Sequence, residues 1–171
     1  MSSDMITVYL SLGSNLGDRE ANLKKAIELI SNRMRTGKTS AIYETEPVGV
    51  PDQQPRYLNL AMEVFTRLAA KDLLVLTKGF EAMLGRAKNS SNAPRPIDID
   101  ILFYGNQVIR TDDLVIPHPR LTERAFVLVP MSEIAPDLIH PENSRKVSDL
   151  LKSLPSLQGV VRWESKVKEI K

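Results

Sequence analysis

Cysteine is absent from the 171 residues, which excludes disulfides, thiolate metal sites and a cysteine nucleophile. A thiol-free chain suits a reducing cytoplasm, and a cytoplasmic location is expected. No apolar run is long enough to cross a bilayer, and residues 1–5 hold nothing like the apolar core of a signal peptide. Met5 reads as the start of the ordered part. Neither sign of charge dominates: the net charge is +2, with acids and bases mixed throughout. The balance therefore does not point to nucleic acid or an anionic membrane as a partner. Repeats, low-complexity tracts and a Pro/Gly-rich linker are also missing. Neither the phosphate-loop pattern G-x-x-x-x-G-K-[ST] nor G-x-G-x-x-G occurs, so any nucleotide is bound outside the common NTPase folds. What remains is 42% apolar and 26% charged, the composition of an ordinary soluble chain. A single domain over 1–171 is the default at this length.

Periodicity supplies the elements. "MITVYLSLGS" sets Ile6, Val8, Leu10 and Leu12 against Thr7, Tyr9 and Ser11, a first strand. "GSNLGDR" interrupts it, and Asp18 is placed to cap the following helix, whose Leu23, Ala26, Ile27 and Ile30 share a face. That helix is expected to end over 33–37. "TSAIYETEP" reads as one second strand, stopped by Pro47. In "YLNLAMEVFT", Leu58, Leu60, Met62 and Val64 alternate, a third strand. A helix over 71–86 follows, with Leu73, Leu76, Phe80, Met83 and Leu84 on its apolar side. "PRPIDIDILFY" (94–104) is a fourth strand. Ile97, Ile99, Ile101 and Phe103 are expected on one face, and Asp98, Asp100, Leu102 and Tyr104 on the other. Beyond it come a short strand near Val108, a helical stretch, and "VVRWES" as a last short strand. Strand-helix-strand-strand-helix-strand is the ferredoxin-like βαββαβ order. The expected fold is α+β, a mainly antiparallel sheet with helices on one face and C-terminal additions.

Asp98 and Asp100 pose an electrostatic problem. Aspartate is poor in strands, and residues i and i+2 rise together by roughly 6.5 Å, so two carboxylates are held close. If both were desolvated, one would hold a proton. A divalent cation resolves the conflict, and hard oxygen ligands favour Mg²⁺ over zinc. A solvated sheet face is the bland alternative for D-x-D alone. Arg95, between Pro94 and Pro96, adds a guanidinium suited to a metal-bound phosphate. Arg86 and Lys88 form one further basic cluster and Arg120 and Arg124 another, together suggesting a polyphosphate clamp. Each is individually an ordinary surface charge. Glu81 lies on the polar side of its helix. His118, between prolines in "IPHPR", is open as metal ligand, phosphate donor or loop residue, and His140 has no evident partner. "GSNLGDR" resembles a phosphate-cradling turn, although a plain tight turn is the commoner reading.

"LGSNLGDR", "YETEPVG", "YLNL", "APRPIDIDIL" and "VIPHPRLTERAFVLVP" occur in the order found in the 6-hydroxymethyl-7,8-dihydropterin pyrophosphokinases. The resemblance runs over about 5–141 and includes the family signature P-R-x-x-D-[LIV]-D-[LIV]. It implies a ferredoxin-like core and transfer of the β,γ-pyrophosphate of ATP to the pterin hydroxymethyl group, giving AMP in folate synthesis. It further implies that Asp98 and Asp100 hold two Mg²⁺ ions on the ATP phosphates, with Arg95 a catalytic phosphate contact. On the ATP side it places Glu81, Arg86, Lys88, His118 and Arg124. For the pterin it implies ring hydrogen bonds from Asn59, a stack between Tyr57 and Phe126, and contacts at Thr45 and Val48. A monomer acting on two small molecules, ATP first, is the implied arrangement. The polar segments 48–56 and 88–94 read as lids.

The chain departs from the family at three points. Asn92-Ala93 stands where many members have Trp-Gly, Lys88 where an arginine is common, and Pro119 where an aromatic is common. Trp163 lies outside the matched motifs and reads as packing. Two rival classes fit less well. An RNA-binding sheet would carry aromatics and a basic run where Asp98 and Asp100 stand. A D-x-D sugar-nucleotide transferase would be longer and doubly wound.

Overall fold

A computed structural model describes residues 4–45, 55–86 and 93–165. Strand β1 (Ile6–Ser14) leads through helix α1 (Arg19–Ser31) to β2 (Arg35–Thr39) and β3 (Tyr43–Thr45). Next come β4 (Tyr57–Thr66), α2 (Ala70–Met83) and β5 (Asp98–Tyr104). The remainder comprises β6 (Ile109–Arg110), β7 (Val115–Ile116), a 3-10 turn (Leu121–Glu123), α3 (Ala125–Ile134), α4 (Val147–Lys152) and β8 (Val161–Arg162). The main sheet runs β5-β1-β4-β3-β8, with β2 also paired to β4. Every pairing in it is antiparallel. This is the expected ferredoxin-like order, with β2 and β3 together forming its second strand.

One face of the sheet is apolar by parity. Leu10, Leu12, Leu60, Met62, Ile97 and Ile99 are almost fully buried against Leu23 and Ile30 of α1 and Leu73 and Phe80 of α2. Asp18 caps α1 as expected, its side chain accepting from the Ala21 N–H at 3.1 Å. Helices also reach the opposite face, which differs from the one-sided expectation. There Tyr9, Ala61, Leu102 and Phe103 pack on Leu128 and Met131 of α3 and on Val147 and Leu150 of α4. The C-terminal additions are thus a second layer on that face.

Four expectations need correction. Phe103 and Tyr104 exchange faces, because Tyr9 pairs with Phe103 but Leu10 with Ile101, leaving Leu102 as a bulge residue. The bulge is fixed by the Leu102 carbonyl, which accepts the His118 N–H at 3.0 Å. The second strand is two pieces and begins two residues before the expected helix end is complete, at Arg35. Its break lies at Ser40, whose hydroxyl takes the Ala61 N–H that a regular ladder would use. Helix α2 stops at Met83 rather than 86. Gly85, at φ +95°, allows the Arg86 N–H to reach the Glu81 carbonyl and its own N–H the Ala82 carbonyl, a Schellman stop. Finally, His140 has partners: its ring meets Phe103 edge-on at 5.8 Å, and Nδ1 accepts from Glu142 and Asn143.

Candidate active site

The polar residues share the second face of the sheet with the packing of α3 and α4. Strand register lines them up: Asp98 lies beside Gly13, Gly13 beside Asn59, and Asn59 beside Tyr43. One step along, Asp100 pairs with Ser11 and Ser11 with Ala61. Asp98 and Asn59 are therefore two inter-strand steps apart, about 10 Å. Gly13 between them is a close-approach position. A Cβ there would sit 2.8 Å from Asn59 Oδ1 and 3.4 Å from the Tyr57 ring. The missing side chain lets the Asn59 amide lie across the strand.

The Asn59 amide is oriented from behind. Its Nδ2 donates to Thr45 Oγ1 at 2.8 Å, within the buried β3–β4 pair. That leaves Oδ1 over Gly13 as an acceptor. Tyr57 shares this face by parity and is half-buried, and its phenol is raised by burial. Phe126, in the first turn of α3, lies under the Arg124 guanidinium at 5.4 Å. The ring pairs among the described residues lie in the second core, and Tyr57 and Phe126 do not stack on one another.

Around the aspartates the charges are organised. Arg86 Nη1 donates to Asp98 Oδ1 at 2.8 Å and also meets Glu81 Oε2 at 2.9 Å. Arg95 Nη1 lies 3.7 Å from Asp98 Oδ2. Among the described residues no ion pair reaches Asp100. Protein crowds its carboxyl although some surface still reaches solvent, and this desolvation, reinforced by Asp98, pushes it far above the usual carboxylate range. Lys78 and Arg124 oppose the shift only partly. Among the described residues no group of three or more His, Asp or Glu side chains converges as a self-sufficient metal site. Two carboxylates alone would supply only part of the oxygen shell of a hard divalent cation.

His118 is kept neutral. Burial and the nearby Arg124 and Arg120 lower its imidazole to about 4. Its Nδ1 accepts the Arg120 N–H at 3.3 Å, so the ring proton resides on Nε2, available for donation. Arg124 Nε is buried without a hydrogen-bond partner among the described residues. An orphaned guanidinium nitrogen beside two aspartates is the cradle an anionic ligand would complete.

Several contributors carried no clear sequence signal. Asn15, fully buried, accepts the Arg95 N–H at 2.7 Å through Oδ1, and its own N–H bonds the Arg95 carbonyl at 3.1 Å. Its Nδ2 donates to the Pro55 carbonyl at 3.3 Å. "GSNLGDR" thus serves as a clasp on the chain before β4 and before β5. Ser11 and Lys78 flank Asp100 equally unannounced. Glu81 is almost wholly buried. Its Oε2 accepts the Ile99 N–H at 2.7 Å and its Oε1 meets Lys78 at 3.2 Å. It closes the open edge of β5 and anchors Arg86. Val48 and Lys88 lie outside the described residues, as do most of the two expected lids.

Three comparisons bear on this arrangement. The model of the family described as 7,8-dihydro-6-hydroxymethylpterin-pyrophosphokinase (HPPK) matches residues 9–136. The 2-amino-4-hydroxy-6-hydroxymethyldihydropteridine pyrophosphokinase of Bacillus subtilis (strain 168) is 39% identical over 160 residues, 92% of this chain and 90% of that enzyme. The folic acid synthesis protein fol1 of Pneumocystis carinii is 41% identical over 154 residues, 90% of this chain but 21% of that longer protein. In the fold alone, the crystal structure of Plasmodium falciparum HPPK-DHPS is similar, with a TM-score of 0.73 at 16% identity over 88% of this chain and 46% of that one.

Proposed function

The chain belongs to the 7,8-dihydro-6-hydroxymethylpterin-pyrophosphokinase family, and from this premise and the site we propose that it makes the pterin diphosphate used in folate biosynthesis. The substrates are ATP and 6-hydroxymethyl-7,8-dihydropterin. The hydroxymethyl oxygen bonds to the β-phosphorus, the bond from that phosphorus to the α-bridging oxygen breaks, and AMP leaves with that oxygen. The observation that carries the reading is the shared sheet face: Asp98 and Asp100 at one end, Tyr57 and Asn59 at the other, with Gly13 between.

Each residue then has a task. Asp98 and Asp100 would hold Mg²⁺, two ions as the family resemblance implies. The metal supplies charge neutralisation on the transferred group and on the departing AMP. Arg86 and Arg95 pair with Asp98 and would also reach the phosphate oxygens. Arg124 offers its unpaired Nε, and His118 donates from Nε2. Asn59 Oδ1 accepts from the pterin ring edge. Tyr57 and Phe126 face the ring from two sides, each worth on the order of 1 kcal/mol. Thr45 acts through Asn59, and Glu81 through Arg86 and β5. Val48 and Lys88 complete the two subsites. The chain acts as a monomer on two small molecules, and among the described residues no helix is long and apolar enough to cross a membrane.

Titration calorimetry tests the reading. Pterin should bind at least tenfold more tightly with a non-hydrolysable MgATP analogue present, because the bound phosphates organise Arg95 over the site. The analogue itself should release about one proton at pH 6 and almost none at pH 8.5. Asp100 carries a proton below its raised pKa, and Mg²⁺ must displace it. Affinity for the Mg²⁺ complex should accordingly rise with pH through this window. Unchanged pterin affinity, or no proton release at pH 6, would count against the assignment.

A further inference from the structure

Arg19, the first residue of α1, reaches both strands that present the pterin-side residues. Its Nη1 donates to Glu44 Oε2 at 2.8 Å and to the Arg56 carbonyl at 2.9 Å. Glu44 immediately precedes Thr45, the partner of Asn59, and Arg56 immediately precedes Tyr57. Strands β3 and β4 pair over only three residues, from Tyr43 with Asn59 to Thr45 with Tyr57. So short a pair depends on bonds from neighbouring elements to keep its register. Arg19 closes this end from the side.

Arg19 is itself held by the C-terminal segment. Its guanidinium lies over the Trp163 ring, 5.0 Å from the centroid. Trp163 is held by backbone and ring: its backbone N–H bonds the Ile42 carbonyl at 2.8 Å, and Nε1 donates to Glu20 Oε1 at 3.2 Å. Ser165 Oγ donates to Glu20 Oε2 at 2.9 Å, and β8 pairs with β3 through Arg162 and Val161. A guanidinium stacked on an indole keeps its in-plane N–H groups free to bond carboxylate and carbonyl oxygens at its edge.

We infer that Arg19, seated on Trp163, is a positioning residue for pterin binding. The C-terminal strand, beyond the residue 136 at which the family match ends, thereby helps set pterin affinity. This rests on the pterin assignment of Tyr57, Asn59 and Thr45. Neither Arg19 nor Trp163 touches substrate. They act by holding the site-side ends of β3 and β4 in register, so their loss affects the pterin subsite and spares the aspartate end two strands away.

The experiment compares wild type with Arg19→Met, Trp163→Leu, the double variant, and the conservative Trp163→Phe. KM for pterin and for MgATP, kcat, pterin affinity by calorimetry and melting temperature are measured for each. Either single loss should raise the pterin KM and Kd about tenfold, with KM for MgATP and kcat within about twofold. The double variant should be little worse than either single one, since both break the same device. Trp163→Phe, which keeps a flat ring, should lie near wild type. If wild type makes AMP but Arg19→Met and Trp163→Leu keep wild-type pterin affinity, or lose pterin and MgATP affinity equally, the inference is overturned. If wild type itself makes no AMP, the functional reading fails instead. Should Trp163→Leu not fold, Arg19→Met carries the comparison, and wild-type pterin affinity in it overturns the inference.

Discussion

Replacing Asp98 or Asp100 by asparagine should lower turnover by about a thousandfold or more, the scale of removing charge stabilisation aimed at a transferring phosphoryl group. Asparagine keeps shape and one oxygen but loses the anionic ligand. The two variants should differ in stability. Asp98 balances Arg86 and Arg95, so Asp98→Asn should be modestly destabilising. Asp100 is strained by burial and by Asp98. Its folded-state pKa is raised above the ordinary value, so the folded protein keeps a proton that the unfolded chain releases. Stability from this group is present at low pH and is lost as pH rises from the ordinary carboxylate range through the raised value. Asp100→Asn has no such loss, and its melting temperature should overtake that of wild type between pH 5 and 8. An inactive variant more stable than its parent at pH 8 would identify a site kept for function. Wild-type turnover at saturating Mg²⁺ in either variant would remove the metal assignment.

Glu81→Ala should be the most destabilising single change near the site. The side chain is almost fully buried, and its removal strands the Ile99 N–H on the open edge of β5 and takes a carboxylate from Arg86 and Lys78. Breaking a buried charged network from one side costs about 3–5 kcal/mol. For a chain of this size that is roughly 10 °C in melting temperature. Glu81→Gln separates the roles. Its carbonyl can still accept the Ile99 N–H, so most stability should return, while the weakened hold on Arg86 should still raise KM for MgATP several-fold. Thermal melts and steady-state kinetics on the two variants check this. An alanine variant melting within 2 °C of wild type would show that the edge bond contributes little.

Much of this was legible from period-2 alternation, because parity is set by covalent geometry. Tyr57 with Asn59, and Asp98 with Asp100, share faces for that reason, and the same alternation marked the apolar sides of β1 and β4. The Asp18 cap was equally readable, its partner lying three residues away. Leu102 was not. A bulge depends on which carbonyl the His118 N–H takes, and no local pattern records that choice, so alternation alone puts Phe103 and Tyr104 on the wrong faces. Ser40 divides the second strand through a bond to Ala61, again across strands. Asn15 is the plainest case. Its partners lie 40 and 80 residues away, and an asparagine in a Gly-rich turn looks the same whether it caps the turn or clasps two distant segments. Glu81 looked exposed because its polar helix side faces the edge of β5, which only the assembled sheet reveals.

The central claim is that this face joins a metal-bound triphosphate to a pterin and moves two phosphoryl units at once. Incubation with MgATP and 6-hydroxymethyl-7,8-dihydropterin, followed by chromatography of the nucleotides, tests it directly. AMP should appear in equal amount with the pterin diphosphate, and neither should form with Asp98→Asn or Asp100→Asn. ADP as the nucleotide product, or AMP formed without consumption of pterin, would contradict the account.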